Sequence, residues 1–403
     1  MASALRNAPR DVSLGIYIHI PFCRHRCTYC DFNIYAGMRS LWERYAQAVA
    51  KEIGSTPAGL RARTIYFGGG TPSLVPVEHI GWLLEAIRAT FEVAPDVEIT
   101  LEANPRAEDD GYFQRLRALG VNRISLGMQS AHAHELHLFR RGHTFDDVVR
   151  TFQLVRASGF DNVNLDLIYG VPGQSLDEWR RTVESALALG PEHVSAYGLQ
   201  VEDGTTLKKW IAQGKLSPPD DDLAADMYNL AEAMLEQAGF AHYEISNWAR
   251  HESRAAQHNL IYWRNEPYLG FGCGAHSWFG GRRFAGLRHP REYVQAIEAG
   301  QGAGVEVEPI GRRLEMGETM MVGLRLLEEG VPFERFATRF GVDLRDVYRA
   351  EIERLLKRAL IEVDAERVRL SREGRLVANR AFGEFLPDAV IGGPSAPSRL
   401  PAE

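Results

Sequence analysis

The chain has 403 residues, 45% hydrophobic and 25% charged, a balance that suits a globular protein with one large domain and one or two small ones. Its formal net charge of −7 argues against a general nucleic-acid binder, which needs a basic surface. No run of about 18 uncharged apolar residues occurs, so no membrane-spanning helix is expected. The cysteines are Cys23, Cys27, Cys30 and Cys273, too clustered for a secreted disulfide scaffold. The opening MASALRNAPRD lacks the apolar core of a signal peptide, so a reducing, cytoplasmic setting is expected.

Taken in chain order, strand-like and helix-like patterns alternate. Residues 14–20 (LGIYIHI) are β-branched and aromatic and read as a first strand. Further strands are expected at 62–67, 97–101, 122–126, 161–168 and 192–199. Helical periodicity fills 39–53, 77–91, 108–119, 145–158 and 176–189. Asp177 and Glu178 fall in the first turn of the last helix, where acidic side chains suit the helix dipole. Successive βα units imply a parallel sheet with right-handed crossovers. Their number fits an α/β fold built on an incomplete (β/α)6 barrel, with a flat doubly wound sheet as the alternative.

After residue 200 the rhythm changes. A helix at 221–238 and a strand at 241–246 precede an irregular stretch rich in aromatics and glycine. Helices are expected at 312–328, 333–340 and 344–359, then a hairpin at 361–370 and a last helix over SREGRLVANRAF. This order suggests a mostly helical, winged-helix-like module, read as a packing domain rather than a nucleic-acid reader. The expected organisation is an N-terminal arm over 1–13, a partial barrel over 14–245 and the irregular segment over 246–304. The helical module takes 305–385, and a disordered tail rich in Pro, Ser and Gly takes 386–403.

The string PFCRHRCTYCDF places Cys23, Cys27 and Cys30 in a C-x3-C-x2-C spacing directly after the first strand. Thiolates are soft ligands suited to zinc or iron–sulfur. Three of them can hold three irons of a cubane and leave the fourth iron open, as a catalytic zinc keeps one free position. A structural zinc would want a fourth ligand, and His25 sits too close in the loop to complete a tetrahedron. Arg24, His25 and Arg26 are expected to lower the thiol pKa values. FGGGTP (67–72) follows the second strand; its glycines allow close backbone approach, and their N–H groups are expected to be free for a ligand. Glu102, Gln129 and Asp166 close later strands, at the end of a βα barrel where polar residues face the active-site mouth.

The cysteine spacing resembles that of radical S-adenosylmethionine (radical SAM) proteins. The wider string IYIHIPFCRHRCTYCDF is similar to the branch holding oxygen-independent coproporphyrinogen III oxidase. The resemblance implies a [4Fe–4S] cluster on Cys23, Cys27 and Cys30, SAM on its open iron, and an electron donor for the cluster. It also implies SAM contacts from Tyr17, Tyr29, Gly69, Gly70, Thr71, Glu102, Gln129, Arg141 and Asp166. Arg141 suits the methionine carboxylate, and Glu102 suits the ammonium or ribose hydroxyls.

Two departures bear on activity. Phe32 stands where the oxidase has a further cysteine, and only 22 residues precede Cys23. HNLIYW (258–263) then resembles the HNxxYW pattern of the heme chaperone family HemW. On chemistry alone His258, Asn259, Tyr262 and Trp263 read as a buried aromatic cluster with a hydrogen-bonded histidine. The resemblance implies instead that they bind heme, through an imidazole and flat ring faces. His276 and Cys273 are alternative axial ligands. The expected function is thus a heme chaperone, monomeric or dimeric, that passes heme to an acceptor such as a membrane respiratory enzyme at the inner face of the membrane. The rival expectations are the oxidative decarboxylase and a radical SAM methyltransferase.

Overall fold

The computed structural model describes residues 12–105 and 111–387, so most of the N-terminal arm and most of the tail lie outside the described residues. Its spine is β1 (Ser13–Ile20), β2 (Arg61–Gly69), β3 (Glu92–Ala103), β4 (Arg123–Gln129), β5 (Val163–Tyr169) and β6 (His193–Gly198), side by side in that order. All neighbouring pairs in this run are parallel. Between them run α1 (Trp42–Gly54), α2 (Val77–Thr90), α3 (Tyr112–Ala118), α4 (Phe145–Ala157) and α5 (Leu176–Ala188). Capping boxes start α4 (Thr144 with Asp147) and α5 (Ser175 with Glu178). Side chains from β2 through β6 line one common cavity, so the sheet curls into the expected partial barrel rather than lying flat.

The two faces of each strand differ sharply. Outward residues such as Ile65, Phe67, Ile99, Leu101, Ile124, Leu126, Leu165 and Leu167 are buried against the helices in one continuous core. Each such side chain contributes about 1.5–3 kcal/mol by leaving water. Inward residues are polar instead: Thr64, Glu98, Thr100, Glu102, Arg123, Ser125, Asn164, Asp166, His193 and Ser195. The barrel is therefore held from outside and left chemically rich within.

Both edges of the parallel run are extended. After α6 (Asp221–Gln237), β7 (Ala241–Glu244) and β8 (Asn247–Ala249) add antiparallel strands beyond β6. The segment expected to be irregular is in fact regular. It holds α7 (Gln257–Trp263), β9 (Tyr268–Phe271), β10 (His276–Phe279), β11 (Arg282–Gly286), α8 (Pro290–Glu298) and β12 (Gly304–Pro309). β9 runs parallel to β1, with Tyr17 opposite Gly270, and β10 to β12 continue antiparallel. Strands this short, set among glycines, offer too few residues for an alternating pattern to show.

The last module packs α9 (Arg312–Gly323), α10 (Phe333–Phe340) and α11 (Arg349–Lys357) around a separate core. A three-stranded antiparallel sheet completes it: β13 (Val331–Pro332), then β15 (Arg367–Leu370), then β14 (Ile361–Val363). The helix expected over 312–328 stops at Gly323, because Leu326 turns away to bridge Glu244. The helix expected over 344–359 breaks at buried Tyr348 (φ −119°), and the last one breaks at Val377 (φ −126°). Among the described residues no helix is long and apolar enough to cross a membrane.

Candidate functional site

The cysteine loop leaves the carboxyl end of β1. Cys23, Cys27 and Cys30 are partly exposed and all line a cavity of about 840 Å³. The loop is tied from several sides. Thr28 Oγ1 donates to Leu138 O at 2.8 Å, and Arg26 donates to Phe32 O at 3.1 Å. Asn33 Nδ2 donates to Cys273 O at 3.2 Å and to Arg288 O at 3.0 Å, which docks the loop on the turn after β9.

FGGGTP seats this loop. A Cβ on Gly70 would lie 2.7 Å from Phe22 O, and one on Gly69 (φ +113°) would lie 2.5 Å from the His19 ring. Two of the glycine amides expected to be free are taken, as is that of Thr71. Gly69 N–H donates to Glu102 Oε2 at 3.2 Å, Gly70 N–H to Ile20 O at 2.8 Å and Thr71 N–H to Phe22 O at 2.9 Å. Gly70 is needed because two backbones meet there, and Gly69 because of the His19 ring and its own positive φ, before any ligand arrives. The Thr71 hydroxyl points onward, 3.5 Å from Cys23 Sγ.

From Thr71 a polar chain crosses the mouth. Asn104 Nδ2 donates to Thr71 Oγ1 at 2.9 Å, and Arg141 Nη2 donates to Asn104 Oδ1 at 2.7 Å and Gly127 O at 3.1 Å. Arg141 Nη1 reaches Cys27 Sγ at 3.5 Å. A Cβ on Gly127 would meet Arg141 Nη2 at 2.6 Å, so the glycine of LGMQS makes room for the guanidinium. Gln129 ends β4 with a positive φ of 66° and lines the cavity. Arg141 thus brings a cation onto a cluster thiol. The expected lowering is outweighed at two thiols: burial pushes Cys23 up to about 11 and Cys30 up to about 12, the latter against a lowering pull from Arg26.

Deeper in, Tyr66 donates to Glu102 Oε1 at 2.8 Å. Burial raises the Glu102 carboxyl to about 7, against the Tyr66 hydrogen bond, with Asp166 adding to the rise. Asp166 accepts from Ser125 Oγ at 3.0 Å and Asn164 Nδ2 at 2.7 Å, and its pKa is likewise raised by burial. Tyr29 lines the cavity with its ring edge-on to Phe139. Tyr17 stands behind the cavity wall, stacked on Tyr66, with its hydroxyl 3.0 Å from His19 Nδ1.

HNLIYW is α7, which plugs the opposite end of the barrel. Glu98 accepts the Gln257 and His258 N–H groups, both at 3.1 Å, and so caps the helix from inside. His258 is 1% exposed, with Nδ1 2.8 Å from Thr64 Oγ1 and Nε2 2.9 Å from Tyr262 Oη. Its ring stacks on Tyr66 at 5.0 Å. Trp263 is buried, Tyr262 is half-buried and Asn259 lines the cavity floor. The motif thus forms the buried cluster that chemistry alone suggests, rather than an open porphyrin platform. Cys273 is fully buried beneath Asn33, so among the alternative axial ligands only His276 is exposed.

Sequence reasoning missed four contributors. Asn104 follows Glu102 by two residues in LEANP, and Asn33 follows the last cysteine by three. Tyr66 and Arg123 are polar residues inside strand-like runs. That placement was a usable signal for an inward-facing role.

Residues 17–186 match the Radical SAM superfamily, and residues 312–377 match the HemN C-terminal domain. The heme chaperone HemW of Mycobacterium tuberculosis is 38% identical over 92% of this chain and 94% of its own length. The mitochondrial radical S-adenosyl methionine domain-containing protein 1 of Bos taurus is 34% identical over 92% and 86%. The solved coproporphyrinogen III oxidase of Escherichia coli superposes with a TM-score of 0.83 over 95% of this chain and 92% of that one. At 23% identity this is a likeness of fold. The barrel, the cysteine triad above its cavity and these matches define a radical SAM protein, a class built around a [4Fe–4S] cluster and SAM. Within that class the chain belongs to the heme chaperone HemW family.

Proposed function

We propose that this protein is a heme chaperone with a radical SAM core, which binds heme and hands it to an acceptor such as a membrane respiratory enzyme. The observation that carries this reading is kinship with proteins named as heme chaperones over nine-tenths of the chain. Phe32, at the position of the oxidase's further cysteine, agrees with it.

The donor set fits the group the class implies. Cys23, Cys27 and Cys30 would hold the cluster, because three soft thiols line one cavity wall. When bound, the cluster and SAM supply one-electron cleavage of SAM to methionine and a 5′-deoxyadenosyl radical. Arg141 neutralises a carboxylate at the mouth and stays placed by Asn104. Glu102 accepts from the SAM ammonium or ribose hydroxyls, and Tyr66 holds its orientation. Tyr29, Gly69, Gly70, Thr71, Gln129 and Asp166 shape the rest of the SAM pocket, and Tyr17 supports Tyr66 from behind. Heme iron takes exposed His276 in this conformation. His258, Asn259, Tyr262 and Trp263 reach heme only when α7 releases Thr64 and Glu98.

The test is anaerobic reconstitution followed by heme titration and a SAM-cleavage assay on one sample. A Soret shift that saturates, with no protoporphyrinogen formed from coproporphyrinogen III, is the expected result. Absence of the shift, with protoporphyrinogen and 5′-deoxyadenosine produced, overturns the proposal in favour of the decarboxylase.

A further inference from the structure

Arg123 opens β4 at the far end of the cavity from the cysteines. It is 2% exposed, yet it lines the cavity in register with Ser125, Gly127 and Gln129 on the inward face of the strand. Its Nε has no hydrogen-bond partner among the described residues. Glu98, Glu102 and Asp166 feel its charge, but make their hydrogen bonds elsewhere. Glu98 holds the amides of α7, Glu102 holds Tyr66 and Gly69, and Asp166 holds Ser125 and Asn164. A guanidinium is always charged and presents five donors in a fixed fork. Burying one without a direct partner is costly, and natural folds rarely do so away from a ligand.

We infer that Arg123, with Asn259 lining the same cavity, is an anion subsite that takes the carboxylate of a molecule bound in the barrel. The neighbouring carboxylates favour a singly charged anion over a phosphate, because a dianion meets more repulsion. A planar carboxylate also matches the guanidinium fork in a bidentate pair. The subsite is distinct from Arg141, which sits at the mouth against Asn104, Gly127 O and Cys27. Six residues of strand separate Arg123 from Gln129, a span of about 20 Å at the usual strand rise. A carboxylate bound at the floor therefore lies far from the cysteines. It belongs either to a porphyrin propionate or, if Arg141 does not hold it, to the amino-acid moiety of SAM. The porphyrin source rests on the heme-chaperone reading; the subsite itself does not.

The experiment uses the full chain, anaerobically reconstituted, as wild type, Arg123→Gln and Arg123→Lys. Probes are iron deuteroporphyrin IX, its dimethyl ester, and SAM. Expected is a loss of about tenfold or more in affinity for the diacid in Arg123→Gln, no change for the ester, and partial rescue in Arg123→Lys. A comparable loss confined to SAM supports the subsite and assigns it to the amino-acid carboxylate. Unchanged affinities for both SAM and the diacid overturn the inference, as does an equal loss for diacid and ester. Iron content and melting temperature check folding. If Arg123→Gln does not fold, Arg123→Lys against wild type decides, since a shorter, single-point cation weakens a bidentate carboxylate pair and leaves the ester unaffected. If the wild type binds no porphyrin, the chaperone reading fails, and the SAM measurement alone decides the subsite.

Discussion

The two ends of the barrel are built on opposite principles. At the mouth, three thiols and an arginine converge on open space, and the loop that carries them is fixed by backbone contacts. At the floor, the start of α7 is already bonded: His258 with Thr64 and Tyr262, and the Gln257 and His258 amides with Glu98. The mouth is organised before its cofactor arrives. The motif histidine is closed off, and any contact between His258 and heme requires α7 to move. The two motifs therefore stand in different states, the cysteine loop preformed and HNLIYW latent.

The sharpest break of this contrast comes at the mouth. Cys30→Ala, or the same change at Cys23 or Cys27, is expected to abolish cluster formation, read as iron content and visible absorbance after reconstitution. The melting temperature should barely move, because these side chains are partly exposed and outside the apolar core. A collapse in melting temperature would mean that the loop is part of the folding core and the contrast is false.

At the floor the expectation reverses. His258→Ala removes two hydrogen bonds and a stacked ring from a buried site, and should cost about 2–4 kcal/mol in chemical denaturation. His276→Ala, at an exposed position, should stay within about 0.5 kcal/mol of the parent yet weaken heme binding. Heme loss from His258→Ala without any loss of stability would place the imidazole on the iron and reject the closed floor.

Gly70→Ala probes the joint between loop and barrel. Its new Cβ would meet the backbone of Pro21 and Phe22 at 2.7–2.9 Å, and backbone cannot rotate aside. Overpacking of this kind costs about 1–3 kcal/mol. Cluster yield should fall along with stability, which separates this variant from the cysteine changes.

Much of this was legible beforehand. The cysteine spacing, the six strands and the crossover helices follow from local pattern, and the structure keeps them. What local pattern hides is which face of a strand meets water. NRISL alternates, and alternation alone reads Arg123 and Ser125 as a solvent face, yet both point into the barrel. The glycines of FGGGTP were visible, but their purpose depends on how close β2 lies to the loop after β1, a long-range fact. The same holds for HNLIYW. Its residues suggest a ligand site or a plug equally well, until Glu98, about 160 positions away in the chain, is seen to cap the helix. The strands of 246–304 were lost for a simpler reason, since four or five residues between glycines carry almost no periodic signal.

The smallest effect expected is also the most specific, because it reads the charge of one group inside the cavity. Burial raises the Glu102 carboxyl to about 7, so below that pH it is largely protonated in the free protein. A cationic ligand binds the ionised form, and binding must then release a proton. Affinity for SAM in the reconstituted protein should therefore rise by up to about tenfold per unit as pH climbs from 6 toward 7, then level off. Folding shows the opposite sign. The folded state takes up the proton more readily than the unfolded chain, so Glu102's contribution to stability weakens as pH rises from its ordinary value near 4.5 through 7. Glu102→Gln should flatten both curves. Isothermal titration across the range separates them, and a SAM affinity that falls with rising pH would show that Glu102 does not face the cation.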